Sequence, residues 1–311
     1  MTRFLLSRLV QAVLTVFVLT FVIFLIGRVT GNPADTMLPN DAPAAQRAAL
    51  IERMGLDQPL LQQYWLYIGD FVRGDFGTSV RTGGPVVDIV FPRLVNSIAL
   101  VSVGFALALM IGIPLGIAAA TNPNRLVDRV AMGVALIGQS VPSFLSGLLL
   151  ILVFGVTLGW LPTSGIGDWR HYVLPGLTMA WFLVAAIVRL MRSSMLEVLG
   201  EDYVRTARAK GLSNNVVIWK HAARNALLPV VTYIGMMFGI AIASAISTEV
   251  IFNWPGLGRL AYEAVIWRDF PLLQFTVAVW ALIIVAINLM VDIAYAYLDP
   301  RISLTKSSTA A

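Results

Sequence analysis

The sequence contains no cysteine and only two histidines, His171 and His221. Disulfide bonds and thiolate metal sites are therefore excluded, and two histidines are too few for a histidine-based metal site. Charge is also scarce, because 13% of the 311 residues are charged whereas 58% are hydrophobic. Since a soluble domain carries about 25% charged residues, this composition predicts a membrane protein.

A nucleotide-binding loop is missing as well. The pattern G-x-x-x-x-G-K-[ST] does not occur, and no Gly-Lys pair is present in the sequence. That loop supplies the backbone amides that hold nucleotide phosphates. The chain is therefore not expected to hydrolyse ATP itself.

Long uncharged runs are abundant, and each is about long enough to cross a bilayer, which takes about 20 apolar residues. The six runs are Leu9–Gly27, Leu94–Asn124, Val130–Gly167, His171–Val188, Asn225–Thr248 and Phe270–Val291. We interpret the longest, Val130–Gly167, as one span bent near Pro142. These runs predict an all-α polytopic membrane protein with six transmembrane helices.

The distribution of arginine and lysine predicts the orientation. With a cytoplasmic N-terminus, the inside segments hold thirteen of these residues and the two short outside loops hold three. Such an excess is typical of cytoplasmic loops, so both termini are expected in the cytoplasm. The chain then divides into residues 1–29 (tail and first span), 30–93 (external subdomain) and 94–311 (core). The external subdomain contains two amphipathic stretches, Ala44–Met54 and Pro59–Val72, followed by turns.

A charged cytoplasmic loop, residues 189–229, separates two of the most apolar runs. Ser194 to Glu197 fits the S-x-x-E capping box that begins a helix. An apolar stripe follows, and Gly211 suits the left-handed position that ends a helix. Ser213 then begins a second helix leading to Pro229. The stripe consists of Leu196, Leu199, Tyr203 and Ala207. Two interpretations fit these signals, a docking element for another protein and a basic patch on the lipid surface.

Within this loop the stretch EDYVRTARAKGLSNNVVIWKHAARNALLP resembles the coupling loop of ABC importer permeases, in particular the dipeptide/oligopeptide/nickel group. The general importer motif has a glutamate where this chain has Arg205, a departure typical of the peptide group. Further resemblance lies in GNPAD, MGLDQPLLQQYW, SVPSF, EVIFNWPGLGRL and YAYLDPRI, and together the motifs cover nearly the whole chain. The order of the segments resembles the first of two permease subunits.

The resemblance implies a type I ABC importer permease in a bacterial-type inner membrane. Its partners would be a second homologous permease, two ATPases that use ATP and Mg, and an external substrate-binding protein. The chain itself would be no enzyme and would bind no cofactor. Peptides are the expected substrate, with nickel or glutathione as alternatives. A further alternative is an ion- or proton-coupled secondary transporter, which would need an intramembrane charge. Asp292 is the only marginal candidate for such a charge.

The resemblance also implies the functional residues. The residues expected to couple the permease to an ATPase are Glu201, Asp202, Tyr203, Val204, Arg205, Thr206, Ala207, Arg208, Ala209, Lys210, Gly211 and His221. Three polar residues of the third span can line the pathway, although hydrogen bonds between helices explain them equally well, namely Gln139, Ser140 and Ser143. Candidates for receptor contact, from their external position, are Tyr64, Trp65, Arg73 and Asp75. Glu249 is expected to stabilise the external turn that follows it.

Overall fold

The computed structural model describes residues 2–30, 38, 42–53 and 55–298. These residues are almost entirely helical, and their only β pairing is an isolated bridge between Thr78 and Pro85. The helices are α1 (Thr2–Thr30), α2 (Ala44–Arg53), α3 (Leu60–Arg73), α4 (Val86–Thr121), α5 (Leu126–Ser140), α6 (Ser143–Leu150), α7 (Arg170–Leu199), α8 (Asp202–Ala209), α9 (Asn214–Val216), α10 (Ala223–Ile251), α11 (Leu257–Ile266) and α12 (Phe270–Leu298). Two π-helical segments occur, Ile151–Thr157 after α6 and Val217–Ala222 between α9 and α10.

The chain forms two compact units, one from residues 1–96 and 256–311 and one from residues 97–255. In the first unit, α1 packs along α12. Gly27 permits this approach, because a Cβ atom there would lie 3.0 Å from Cδ1 of Phe270. The buried core of this unit combines Val86 and Val90 with Leu257, Leu260 and Leu272 from α11 and α12.

The second unit is built around α7. Gly104, Gly112 and Gly116 of α4 bring that helix close to α7, and a Cβ atom at Gly116 would lie 2.6 Å from Cβ of Met191. Small residues at such crossings let helix backbones approach closely in membranes, where packing rather than water drives association. Ala131 and Ala135 of α5 pack against α7 in the same way.

Within the described part of the chain, four helices are long and apolar enough to cross a bilayer, namely Val86–Thr121, Arg170–Leu199, Asn214–Ile242 and Phe270–Met290. A shorter apolar segment, Val13–Val29, lies within α1. The all-α membrane fold is therefore confirmed, whereas six spans and cytoplasmic termini stay predictions. Helix α4 starts at Val86, eight residues before the second uncharged run, which begins at Leu94.

The predicted bend near Pro142 is a sharp break. Helix α5 and the helix from Ser143 to Thr157 meet at 109°, so Val130–Gly167 is no continuous span. Val141 adopts an extended conformation, with φ −88° and ψ 122°. The proline ring pushes the residue before it out of the helical region, and proline has no N–H for the helix ladder.

The external segment contains the two predicted helices, as α2 and α3. The turns after α3 are held by Asp269, a fully buried carboxylate at the start of α12. Its Oδ2 accepts hydrogen bonds from Ser79 Oγ at 2.5 Å and from the Arg81 backbone N–H at 3.3 Å. The Arg81 guanidinium lies 3.4 Å from the centroid of the Trp267 ring. Asp269 thus fastens the hairpin around Thr82 to the first unit.

Candidate functional site

The cytoplasmic loop begins later than its capping pattern predicts. Ser194 lies buried inside α7, which continues to Leu199, so the predicted helix start at Ser194 is wrong. The reason is tertiary burial, because Met191 and Met195 on the same helix are fully buried and extend α7 past the local signal. The chain turns at Gly200, and Glu201 takes the N-cap position of α8 with φ −71° and ψ 148°.

The end of α8 is the one predicted from the sequence. Gly211 has φ +80°, the left-handed conformation that glycine adopts at low cost. The Gly211 N–H donates to the Arg208 carbonyl at 2.9 Å, and the Leu212 N–H donates to the Ala207 carbonyl at 3.4 Å. These two bonds form a Schellman motif. No described atom lies within 4 Å of a Cβ built at Gly211, so the conformation rather than the space requires glycine.

The base of α8 packs on its own chain. Val204 and Ala207 are buried against Val217, with Val198 and Leu199 beside them. The predicted apolar stripe is therefore wrong at Tyr203, whose side chain is 40% exposed and whose hydroxyl accepts a hydrogen bond from Asn225 Nδ2 at 2.8 Å. Burial also removes Val204 and Ala207 from the surface that another protein can touch.

The second predicted helix of the loop is no separate element. Ser213 precedes α9 in an extended conformation, as expected at a helix start. From there the chain is helical without interruption through the π-helical segment Val217–Ala222 and α10. His221 lies half-buried in that π-helical segment. The loop therefore continues directly into the apolar helix that follows it.

The free surface of this segment is cationic and partly apolar. Its exposed basic residues are Arg205, Arg208, Lys210, Lys220 and Arg224. Between them, Leu212 and Trp219 are also exposed. Arg205 pairs with Asp202 at 3.4 Å, but both side chains face solvent and such a pair contributes little to stability. Glu201, Thr206 and Ala209 are exposed as well. Such a surface suits an acidic partner that offers apolar contacts.

A cleft of about 230 Å³ lies where the break between α5 and α6 faces α7 and α10. We call it the polar cleft after the five polar residues in its mainly apolar lining. Two of the three predicted pathway residues, Gln139 and Ser143, line it. Ser140 does not line the cleft, and its hydroxyl donates to the Leu136 carbonyl of its own helix at 2.9 Å. The sequence reasoning missed three further hydroxyl residues of the lining, Thr178, Ser244 and Thr248. Thr178 is an isolated hydroxyl residue in an apolar run, whereas Ser244 and Thr248 lie with Ser247 at the end of another run. Hydroxyl residues within apolar runs are the signal that could have pointed to them.

Two acidic residues singled out in the sequence, Glu249 and Asp292, follow the segments that line the cleft. Glu249 is fully buried, and its carboxylate accepts a hydrogen bond from Ser97 Oγ. Its backbone carbonyl accepts the Trp254 N–H at 2.8 Å, which agrees with a role in the turn. The side chain of Asp292 lies outside the described residues.

In the loop before α7, the pKa of the Asp168 carboxyl is lowered because His171 Nδ1 hydrogen-bonds to it at 2.9 Å.

The four candidates for receptor contact separate into two kinds. Tyr64 is 1% exposed, and its ring lies between Phe17, Phe21 and Phe24 of α1. It is therefore too buried to touch a receptor, and its prediction as a contact is wrong. The other three candidates, Trp65, Arg73 and Asp75, have exposed side chains.

Comparison with known proteins decides the family. Residues 112–304 match the family described as binding-protein-dependent transport system inner membrane component, and residues 1–101 match its N-terminal region. The chain belongs to this family. It is 42% identical over 303 residues to the glutathione transport system permease protein GsiC of Escherichia coli K12, covering 97% of this chain and 99% of GsiC. GsiC of Salmonella choleraesuis is equally similar.

A solved structure supports the fold independently. The inward-facing MetNI methionine ABC transporter matches with a TM-score of 0.57 at 16% identity, covering 69% of this chain and 98% of the MetNI chain. The permease is therefore a multi-pass inner-membrane subunit of a binding-protein-dependent ABC importer of the peptide/nickel/glutathione group. It is no enzyme, since separate ATPases hydrolyse the ATP, and the secondary-transporter alternative is wrong. Importers of this kind also comprise a partner permease and a binding protein.

Proposed function

We propose that this permease imports small peptides and that glutathione, a tripeptide, is the first substrate to test. The observation that carries the proposal is the 42% identity, over 97% of the chain, to permeases named for glutathione. The polar cleft is compatible with it. The described lining offers hydroxyl and amide groups but no carboxylate, imidazole or thiolate, which are the groups that bind nickel in proteins.

The test is uptake by the complete importer in vesicles, with the receptor outside and ATP inside. Labelled glutathione, a dipeptide, an oligopeptide and a nickel salt are offered separately and in competition. We expect ATP-dependent uptake of glutathione and competition by peptides of similar size. Uptake of nickel without any peptide uptake would contradict the proposal.

The cleft is proposed as this subunit's contribution to the passage. Replacing Gln139 by leucine keeps the size of the side chain but removes its amide. Because one hydrogen bond contributes about 0.5–1.5 kcal/mol, we expect the KM for transport to rise about 2- to 12-fold. Ser140→Ala is the matched control, since its hydroxyl bonds to its own helix outside the cleft. Equal effects of the two variants would remove the cleft from the passage.

The charged cytoplasmic loop, residues 189–229, is proposed as the docking site of one ATPase. ATP and Mg would be bound by the ATPases. The docking residues within it are the exposed ones, among them Arg205, Arg208 and Lys210, rather than the buried Val204 and Ala207. Two features support this assignment, the fixed end of α8 at Gly211 and the cationic surface around it. Receptor contact is proposed for Arg73 and Asp75, at the end of α3.

A further inference from the structure

Helix α3 lies beside the apolar part of α1 rather than beyond its end. The Tyr64 hydroxyl donates to the Phe17 carbonyl at 3.0 Å, and Tyr64 and Phe17 ring centroids are 5.3 Å apart. The apolar run of α1 ends at Gly27, ten residues later, with Arg28 following. At about 1.5 Å per residue, Phe17 lies about 15 Å inside that end, which is half of a hydrocarbon core about 30 Å thick. Tyr64 therefore reaches a depth where acyl chains surround α1.

The side of α3 next to Tyr64 is apolar and exposed. Leu61, Trp65 and Val72 follow at spacings of four and seven residues, on one side of the helix, and their side chains are 62%, 56% and 79% exposed. The other side, with Tyr64 and Tyr67, is covered by aromatic rings of α1. An amphipathic helix in water turns its uncovered side polar. A helix with apolar residues on both sides suits an apolar surrounding.

A groove of about 640 Å³ adjoins this stripe, between α1, α3 and α12. Its lining is mainly apolar and includes Val13, Phe17, Ile68, Val72 and Leu282. Residues 11–20 of α1 form one wall, so the groove opens at the depth of the hydrocarbon core. The charged residues of α3, Asp70 and Arg73, lie at the C-terminal end of this helix and pair with each other at 3.5 Å. Paired charges at the end of such a helix can lie at headgroup level.

We infer that α3 is embedded in the hydrocarbon region beside α1, and that phospholipid acyl chains cover its stripe of Leu61, Trp65 and Val72 and fill the adjoining groove. Trp65, whose ring centroid lies 6.0 Å from that of Phe17, then faces acyl chains at the same depth as Tyr64. The external segment is divided accordingly. Its α3 belongs to the membrane, whereas Asp75 and the hairpin around Thr82 face water and remain available to a receptor.

The absence of cysteine makes a direct test possible. Leu61→Cys and Val72→Cys each carry a single nitroxide label in the complete importer, reconstituted in phospholipid vesicles. Collision of the label with oxygen reports an acyl-chain environment, and collision with a water-soluble nickel chelate reports water. Thr82→Cys, in the exposed hairpin, is the aqueous control. ATP-driven uptake by each variant verifies that the importer is intact.

We expect a higher oxygen-to-nickel collision ratio at both α3 positions than at Thr82→Cys, as for sites inside the hydrocarbon core. Two outcomes overturn the inference. Collision with the nickel chelate equal to that of the hairpin control would place α3 in water. Low collision with both reagents would mean that a protein, such as the second permease, covers the stripe instead of lipid.

Discussion

Replacing Gly211 by proline is expected to disconnect ATP hydrolysis from transport. Proline fixes φ near −65°, whereas Gly211 has φ +80°, and it removes the N–H that bonds to the Arg208 carbonyl. The local cost is about 3 kcal/mol, a factor of roughly one hundred in the population of the native turn. Helix α8 has only eight residues and is marginal alone, so it cannot absorb that loss. Its exposed cationic surface would lose its fixed direction.

The assay compares substrate uptake with ATP hydrolysis per permease in the membrane. We expect uptake to fall at least about tenfold, in line with the loss of the native turn, while the permease still reaches the membrane. Gly211→Ala and Gly159→Ala are a matched pair. Both glycines are left-handed with open space around a Cβ atom, and each variant costs about 1 kcal/mol. Only the variant at Gly211 should impair coupling.

Two results would refute this reasoning. Normal uptake by the Gly211→Pro importer would show that the turn does not orient a docking surface. Equal loss of uptake in the two alanine variants, together with less permease in the membrane, would show that Gly211 serves folding alone.

Three further expectations concern stability, measured as thermal unfolding in detergent. Gly116→Leu should lower the free energy of unfolding by about 1–3 kcal/mol, because the larger side chain overpacks against α7. Gly133→Ala is the control, since no described atom lies within 4 Å of a Cβ at Gly133, and it should be neutral or stabilising. Arg192→Met should cost about 3–5 kcal/mol because it leaves Asp128, 3% exposed, without its bidentate partner, and adding Asp128→Asn should recover part of the loss. Asp269→Ala should cost about 1–3 kcal/mol and expose the hairpin around Thr82 to proteases, since its buried hydrogen-bond donors lose their acceptor. An unchanged unfolding temperature for Gly116→Leu, Arg192→Met or Asp269→Ala would contradict the packing described at that residue.

Local rules predicted those parts of the fold in which a residue acts on its own backbone. Gly211 and Pro142 are such cases, because a left-handed φ or a missing N–H follows from the residue itself. The prediction at Ser194 was wrong for the opposite reason. Its capping pattern is a local signal, and burial of α7 elsewhere in the chain outweighs it.

Side-chain environments were less predictable than helix positions. The periodicity of α3 predicted the helix but not which of its sides meets α1, so Tyr64 was assigned to the surface. Asp269 was missed because a single acid between two helices carries no periodic signal. The cleft residues Thr178 and Ser244 come together only through packing of α7 and α10, which no spacing within one run reveals.

The uninterrupted helix from Asn214 to Ile251 has a mechanical consequence. Its 38 residues span about 57 Å, so a tilt of about 10° about its cytoplasmic foot would displace the far end by about 10 Å. Ser244 and Thr248 lie near that far end and would travel most of this distance. The π-helical turn between Val217 and Ala222, a geometry frequent at functional sites, lies next to the pivot. A small tilt at the cytoplasmic end of this helix would therefore produce a large displacement of the residues that line the cleft.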